Sequence, residues 1–183
     1  MSALDLIRGP VPSATPDRDK WLKLEQLPRV DAGQPHVQHL ADALWTIALA
    51  APRERRVWAF AHLVHCLTRD CIRYSSDVAR TGAEDIAGLT RPYGDPLEAL
   101  ERGNDDCDAK ARLFVALCLA RRVPAHLVPW WSPTTGHLAH VSAEVAIDGR
   151  WVPVETILAR ARLGDAHARV PTESESGKGW LYS

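Results

Sequence analysis

From His36 to Ala50 the apolar residues Val37, Leu40, Ala41, Leu44, Ile47 and Ala48 return every three or four positions, behind a proline suited to a first turn. That spacing predicts an amphipathic helix. Pro52 opens a second run in which Val57, Trp58, Ala61, Val64, His65 and Thr68 keep the same rhythm, and Ile72 and Tyr74 predict an extended exit. Between Asp106 and Arg122 the residues Leu113 to Ala120 leave almost no polar face, so this third helix is expected to be buried on most sides. Asp105, Asp106 and Asp108 at its start and Arg121 and Arg122 at its end match the helix dipole. Three strands are predicted after it, at Ala125–Trp131, Leu138–Ile147 and Arg150–Ile157.

The remaining stretches lack a period. Pro10, Pro12, Pro16, Pro28 and Pro35 lie among charges in the first 35 residues, which read as an arm over the body, with Trp21, Leu22, Leu24 and Leu27 as its anchors. Gly82, Gly88, Pro92 and Gly94 predict a surface loop over Ser75–Asp95. From Gly164 the chain turns polar and reads as a loosely held tail. The expected organisation is a proline-rich arm at 1–35, a domain at 36–163 and a tail at 164–183. Helices followed by an antiparallel sheet define an α+β domain.

Composition narrows the function classes. With 183 residues, 46% hydrophobic and 25% charged, the chain has material for one globular core. Lys and Arg number 22 against 23 Asp and Glu, a balance that argues against a nucleic-acid platform. The longest apolar stretch, Ala43 to Ala51, has nine residues, short of the roughly 20 that cross a bilayer. No secretory signal is legible at the start, so a cytoplasmic protein without a membrane partner is expected. Its four cysteines then read as thiols. Cys107 and Cys118 on one helix would stand about 16 Å apart, too far to bridge.

The hairpin brings chemistry into view. Asp148-Gly149 favours a type I′ turn, which sets Val145 opposite Val152 and Ser142 opposite Glu155. One face then collects Val141, Ala143, Val145, Ile147, Val152 and Val154, apolar throughout and suited to packing on the buried helix. The other collects His140, Ser142, Glu144, Trp151, Pro153 and Glu155, with His140 and Glu155 as diagonal neighbours within side-chain reach. A carboxylate beside an imidazole fixes its tautomer and stabilises the imidazolium. Cys107, in the first turn of the buried helix, is the third candidate: the positive end of the helix favours a thiolate while the neighbouring acids oppose it. One of these acids is expected to serve as the N-cap.

The segment from Arg56 to Glu155 resembles the transglutaminase-like superfamily of papain-type cysteine enzymes. The similarity lies in the exit Ile72-Arg73-Tyr74, in the box Gly103-Asn104-Asp105-Asp106-Cys107-Asp108-Ala109-Lys110-Ala111 and in the turn Arg122-Val123-Pro124-Ala125. It continues in the histidine box His140-Val141-Ser142-Ala143-Glu144-Val145 and in Asp148-Gly149-Arg150-Trp151-Val152-Pro153-Val154-Glu155. The resemblance implies a papain-like core with Cys107 as nucleophile, His140 as general base and Glu155 as orienting acid. Two positions depart from the family pattern: Glu155 stands where an Asp is usual, and Ser142 where a Trp is usual.

Acyl transfer at a peptide or side-chain amide is the implied reaction, by hydrolysis or by transfer to an amine, without metal or organic cofactor. The partner would be a peptide or protein substrate. The resemblance also extends to small stand-alone members of bacterial and phage type, which opens a second reading: a catalytically impaired fold serving as a structural or binding component of a phage-like particle, associated with the virion. Trp130, Trp131, Ser142 and Trp151 are candidate walls of a substrate groove, and the two adjacent tryptophans fit a core equally well. His137 is the competing base, and Glu144 is either a surface acid or a partner of Arg150. His62, His65 and Cys66 share a helix face but lack a second pair at zinc spacing, so packed, hydrogen-bonded roles are expected; Cys66, Cys71 and Cys118 read as core thiols.

Overall fold

The computed structural model describes residues 6–13, 15–75 and 96–165. The expected loop lies outside the described residues apart from Ser75, and the expected tail beyond Asp165 does too. In chain order the elements are β1 (Ile7–Arg8), α1 (Arg18–Asp31), α2 (Pro35–Ala48), a 3-10 turn (Arg53–Arg55), α3 (Arg56–Asp70), β2 (Arg73–Tyr74), α4 (Glu98–Arg102), β3 (Asn104–Asp105), α5 (Cys107–Ala120), β4 (Ala125–Trp131), β5 (Leu138–Ile147) and β6 (Arg150–Val154).

The α+β class is as expected, with α5 at its centre. Residues 110 to 118 are all buried, between the helices α1, α2 and α3 and the sheet. The sheet runs β1-β4-β5-β6, with every pairing antiparallel. Asp148 and Gly149 both take positive φ, at 51° and 75°, the backbone that a type I′ turn requires. The resulting register sets Val145 opposite Val152 and Ala143 opposite Val154, as the turn predicts. β6 ends at Val154 rather than Ile157, so Ser142 and Glu155 lie just beyond the last pair. The β4–β5 ladder shifts only between Trp130 and Trp131, which leaves the face of His140 unchanged.

The segment expected as an arm is different in kind. Residues 18–31 form a helix whose buried positions, Trp21, Leu24, Pro28 and Asp31, recur at helical spacing toward α5 and β4. Pro28 sits inside this helix, where it removes one backbone donor. Burial outweighs that loss: Trp21 meets Trp131 edge to face at 6.4 Å, and Asp31 receives a two-pronged hydrogen bond from Arg112 of α5 at 2.6 and 2.8 Å. β1 adds a strand beside β4, with Trp131 Nε1 donating to the Gly9 carbonyl. Among the described residues no helix is long and apolar enough to cross a membrane.

Candidate active site

Each candidate side chain is placed by a local feature of the sequence. Asp106 is the N-cap of α5: its carboxylate accepts from the Ala109 N–H, which fixes the first turn and seats Cys107 at its first position. Asp105 does not point to solvent. It is buried, its carboxylate taking a hydrogen bond from Arg102 and another from the Asp106 N–H. Just before this turn Gly103 adopts a φ of 68°, ending α4 in the left-handed region that a side chain disfavours.

His140 and Glu155 meet as the hairpin register anticipates. His140 Nε2 lies 2.8 Å from Glu155 Oε2, and the two residues are 2% and 1% exposed. The second carboxylate oxygen accepts the Ile157 N–H at 2.9 Å, folding the longer glutamate arm back over its own main chain. Because Nε2 is committed to Glu155, Nδ1 is the ring nitrogen left for proton exchange.

Cys107 is half-buried. Burial pushes its thiol well above the ordinary cysteine range, and the charges of Asp108, Asp106 and Glu155 push the same way. A hydrogen bond from the Val141 backbone opposes them. Val141 lies opposite Pro129 of β4 and beyond the last β5–β6 pair. The sulfur thus lies near the backbone of the residue that follows His140.

The other candidates fall in different places. His137 is exposed and tied to Asp17, Nδ1 to Oδ2 at 3.1 Å. Glu144 is neither a surface acid nor a partner of Arg150. It is buried, with Arg8 of β1 at 2.7 Å and His126 at 3.3 Å. Trp131 packs in the main core, whereas Trp130 belongs to a smaller cluster with Leu6 and Val128 and donates Nε1–H to Ser142 Oγ at 2.8 Å. Trp130 and Ser142 line a small depression that also touches Arg8, Glu144 and Glu155. Trp151 is exposed and meets His126 edge to face at 4.4 Å. Cys118 is a buried core thiol, Cys66 is half-buried beside His62 at 3.6 Å, and Cys71 is exposed, contrary to the expectation of a core thiol, because it follows the last turn of α3.

Two residues near the site have partners that sequence spacing does not indicate. His65 Nε2 donates to the Glu155 carbonyl at 2.8 Å, and burial lowers its pKa, keeping the ring neutral. Lys110, one turn along from Cys107, is buried and donates Nζ to the carbonyls of Ile72 and Arg69 at the end of α3. Burial lowers its pKa to about 8.

A buried helix with a cysteine at its first turn, packed on an antiparallel sheet whose hairpin carries a His–Glu pair, defines a papain-like, transglutaminase-like core. The chain belongs to the transglutaminase-like superfamily, whose sequence profile matches residues 59–156, more than half of its length. Two solved structures are similar in outline. One, described as a TGase, is 17% identical with a TM-score of 0.42, the match covering 90% of this chain and 39% of that one. The other, described as a candidate cysteine protease from Cytophaga hutchinsonii, is 15% identical with a TM-score of 0.39, covering 96% of this chain and 53% of that one. The chain thus corresponds to about two-fifths and one-half of these two proteins. Among curated proteins no sequence matches it.

Proposed function

We propose that the protein is a cysteine enzyme that transfers an acyl group from a peptide or side-chain amide, with Cys107 as nucleophile, His140 as general base and acid, and Glu155 as the group that orients His140. The observation that carries this reading is the buried 2.8 Å contact between His140 Nε2 and Glu155 Oε2, together with the Cys107 thiol lying against the backbone of Val141. A thiol held protonated by burial needs a base at the moment of attack. His140 Nδ1 takes the proton as Sγ bonds to the amide carbonyl carbon, and Glu155 stabilises the imidazolium. The carbonyl oxygen gathers negative charge and accepts the Cys107 N–H, which in the first turn has no partner within the helix. Collapse breaks the C–N bond, His140 returns its proton to the departing amine, and a thioester remains for water or a second amine to resolve.

Limited alkylation with iodoacetamide between pH 5 and 9, read by peptide mass spectrometry, tests the assignment. Cys107 is expected to react faster than its burial allows, and His140→Ala is expected to slow it. Equal labelling of the accessible thiols, unaffected by His140→Ala, would overturn it. A second reading is favoured by the burial and the acids that hold the Cys107 thiol protonated: a fold that keeps the site but serves in binding. Under that reading Cys107→Ala leaves both amine incorporation and peptide cleavage unchanged.

A further inference from the structure

The C-terminal half of α3 touches both sides of the proposed site. From one face His65 donates Nε2–H to the Glu155 carbonyl at 2.8 Å and Arg69 Nη1 donates to the Ala161 carbonyl at 2.6 Å, so the segment after β6 is gripped twice. The carbonyls of Arg69 in its last turn and of Ile72, two residues beyond it, hold Lys110, and with it the helix that carries Cys107. His65 is fully buried, and its other ring nitrogen, Nδ1, is buried without a hydrogen-bond partner. Facing a carbonyl, the Nε2 of the ring must carry the proton, so the ring is the Nε2–H tautomer, and among the described residues its polar contact is the main chain of Glu155.

We propose that His65 is a positioning residue of the site: its hydrogen bond fixes the backbone of Glu155 so that Oε2 meets His140 Nε2. The inference rests on the catalytic reading above and adds a residue that touches none of the reacting atoms. Glu155 has one methylene more than the aspartate usual in the family, and its arm is bent back onto the Ile157 N–H. A longer arm has more rotamers to lose, so its aim depends more on where its main chain is held. β6 stops at Val154, and strand pairing does not extend to Glu155. The hydrogen bond from α3 supplies the anchor that the ladder would otherwise give. The charged and titratable groups around the ring are His62, Arg69 and Asp70 of its own helix and Glu155 across from it.

The test combines imidazole NMR of ¹⁵N-histidine-labelled protein with the alkylation rate of Cys107. In the wild type, His65 is expected as the neutral Nε2–H tautomer. His140 is expected to show a low-field Nε2 proton, assigned by its loss in His140→Ala. His65→Phe fills the ring's space without a donor and is expected to abolish that proton and slow Cys107 alkylation about tenfold. His65→Gln restores a donor at similar reach and is expected to recover both. A folded His65→Phe protein with the His140 proton and alkylation rate of the wild type would overturn the proposal. So would an Nδ1–H tautomer of His65 in the wild type, a measurement that holds even if His65→Phe does not fold. If Cys107 alkylation is independent of His140, the catalytic reading fails while the two proton signals still judge the positioning role.

Discussion

Replacing Lys110 by methionine isolates the energetics of one buried cation one turn along α5 from Cys107. The ammonium is 1% exposed, and its hydrogen bonds go to main-chain carbonyls at the end of α3, where the helix dipole is negative. Burial brings its pKa from 10.5 down to about 8, against the pull of Glu155, Asp70 and Cys107. The folded pKa lies below the unfolded one, so between these values the unfolded chain binds the proton more readily. Below about pH 8 both states are protonated and the whole penalty is present. Between pH 8 and 10.5 the folded protein releases its proton and the penalty fades. The gap corresponds to about 3 kcal/mol, with a slope of at most ~1.4 kcal/mol per pH unit. The Cys118 thiol, pushed far up by burial, acts with the opposite sign, since it stays protonated in the folded state while its unfolded counterpart ionises. Urea titrations of Cys107→Ser and Cys107→Ser/Lys110→Met at several values between pH 7 and 10.5 remove the nearest thiol and cancel the distant one. The lysine-bearing protein is expected to gain about 3 kcal/mol on its partner across that range. A difference constant with pH would refute the reasoning and place the Lys110 ammonium in water.

Two further outcomes follow from the contacts around α5. Asp31→Ala or Arg112→Met alone leaves a buried charge without its partner and is expected to cost about 3–5 kcal/mol in urea unfolding, whereas Asp31→Leu with Arg112→Met is expected to recover most of that loss. Glu155→Gln keeps the length of the side chain but removes the charge that stabilises an imidazolium. It is expected to slow His140-dependent alkylation of Cys107 by at least about tenfold near neutral pH while leaving the unfolding midpoint within a few degrees; an unchanged rate would remove Glu155 from the mechanism.

Where the information is local, the sequence suffices. The bounds of α2 and α5 come from a 3.6-residue period closed by Pro35 and Asp106, and the β5–β6 register comes from a two-residue turn that admits one pairing. The His140–Glu155 contact is legible for the same reason, because a register fixes diagonal neighbours. The prolines mask α1 in the sequence: Pro28 argues against a helix, yet Trp21, Leu24 and Asp31 share its buried stripe. His65 and Lys110 were visible as residues but not as partners, since each spends its hydrogen bonds on a distant main-chain carbonyl, and no side-chain pattern marks a carbonyl.

Alternation along β5 separates an apolar face from a polar one, and the polar face invites the inference that it meets water. His140, Ser142 and Glu144 are all nevertheless buried. Each has a partner from a different part of the chain: Glu155 after β6, Trp130 on β4 and Arg8 on β1. Burying such groups without partners would cost several kcal/mol, so the partners are a condition of the face being covered at all. Two of these partners, Arg8 and Trp130, face each other in the β1–β4 pairing. The N-terminal strand thus helps enclose the same sheet face that carries His140, and the polarity of that face reflects a network closed by hydrogen bonds rather than a surface. That enclosure gives the His140–Glu155 contact its leverage, because an ion pair or hydrogen bond acts more strongly where water is excluded.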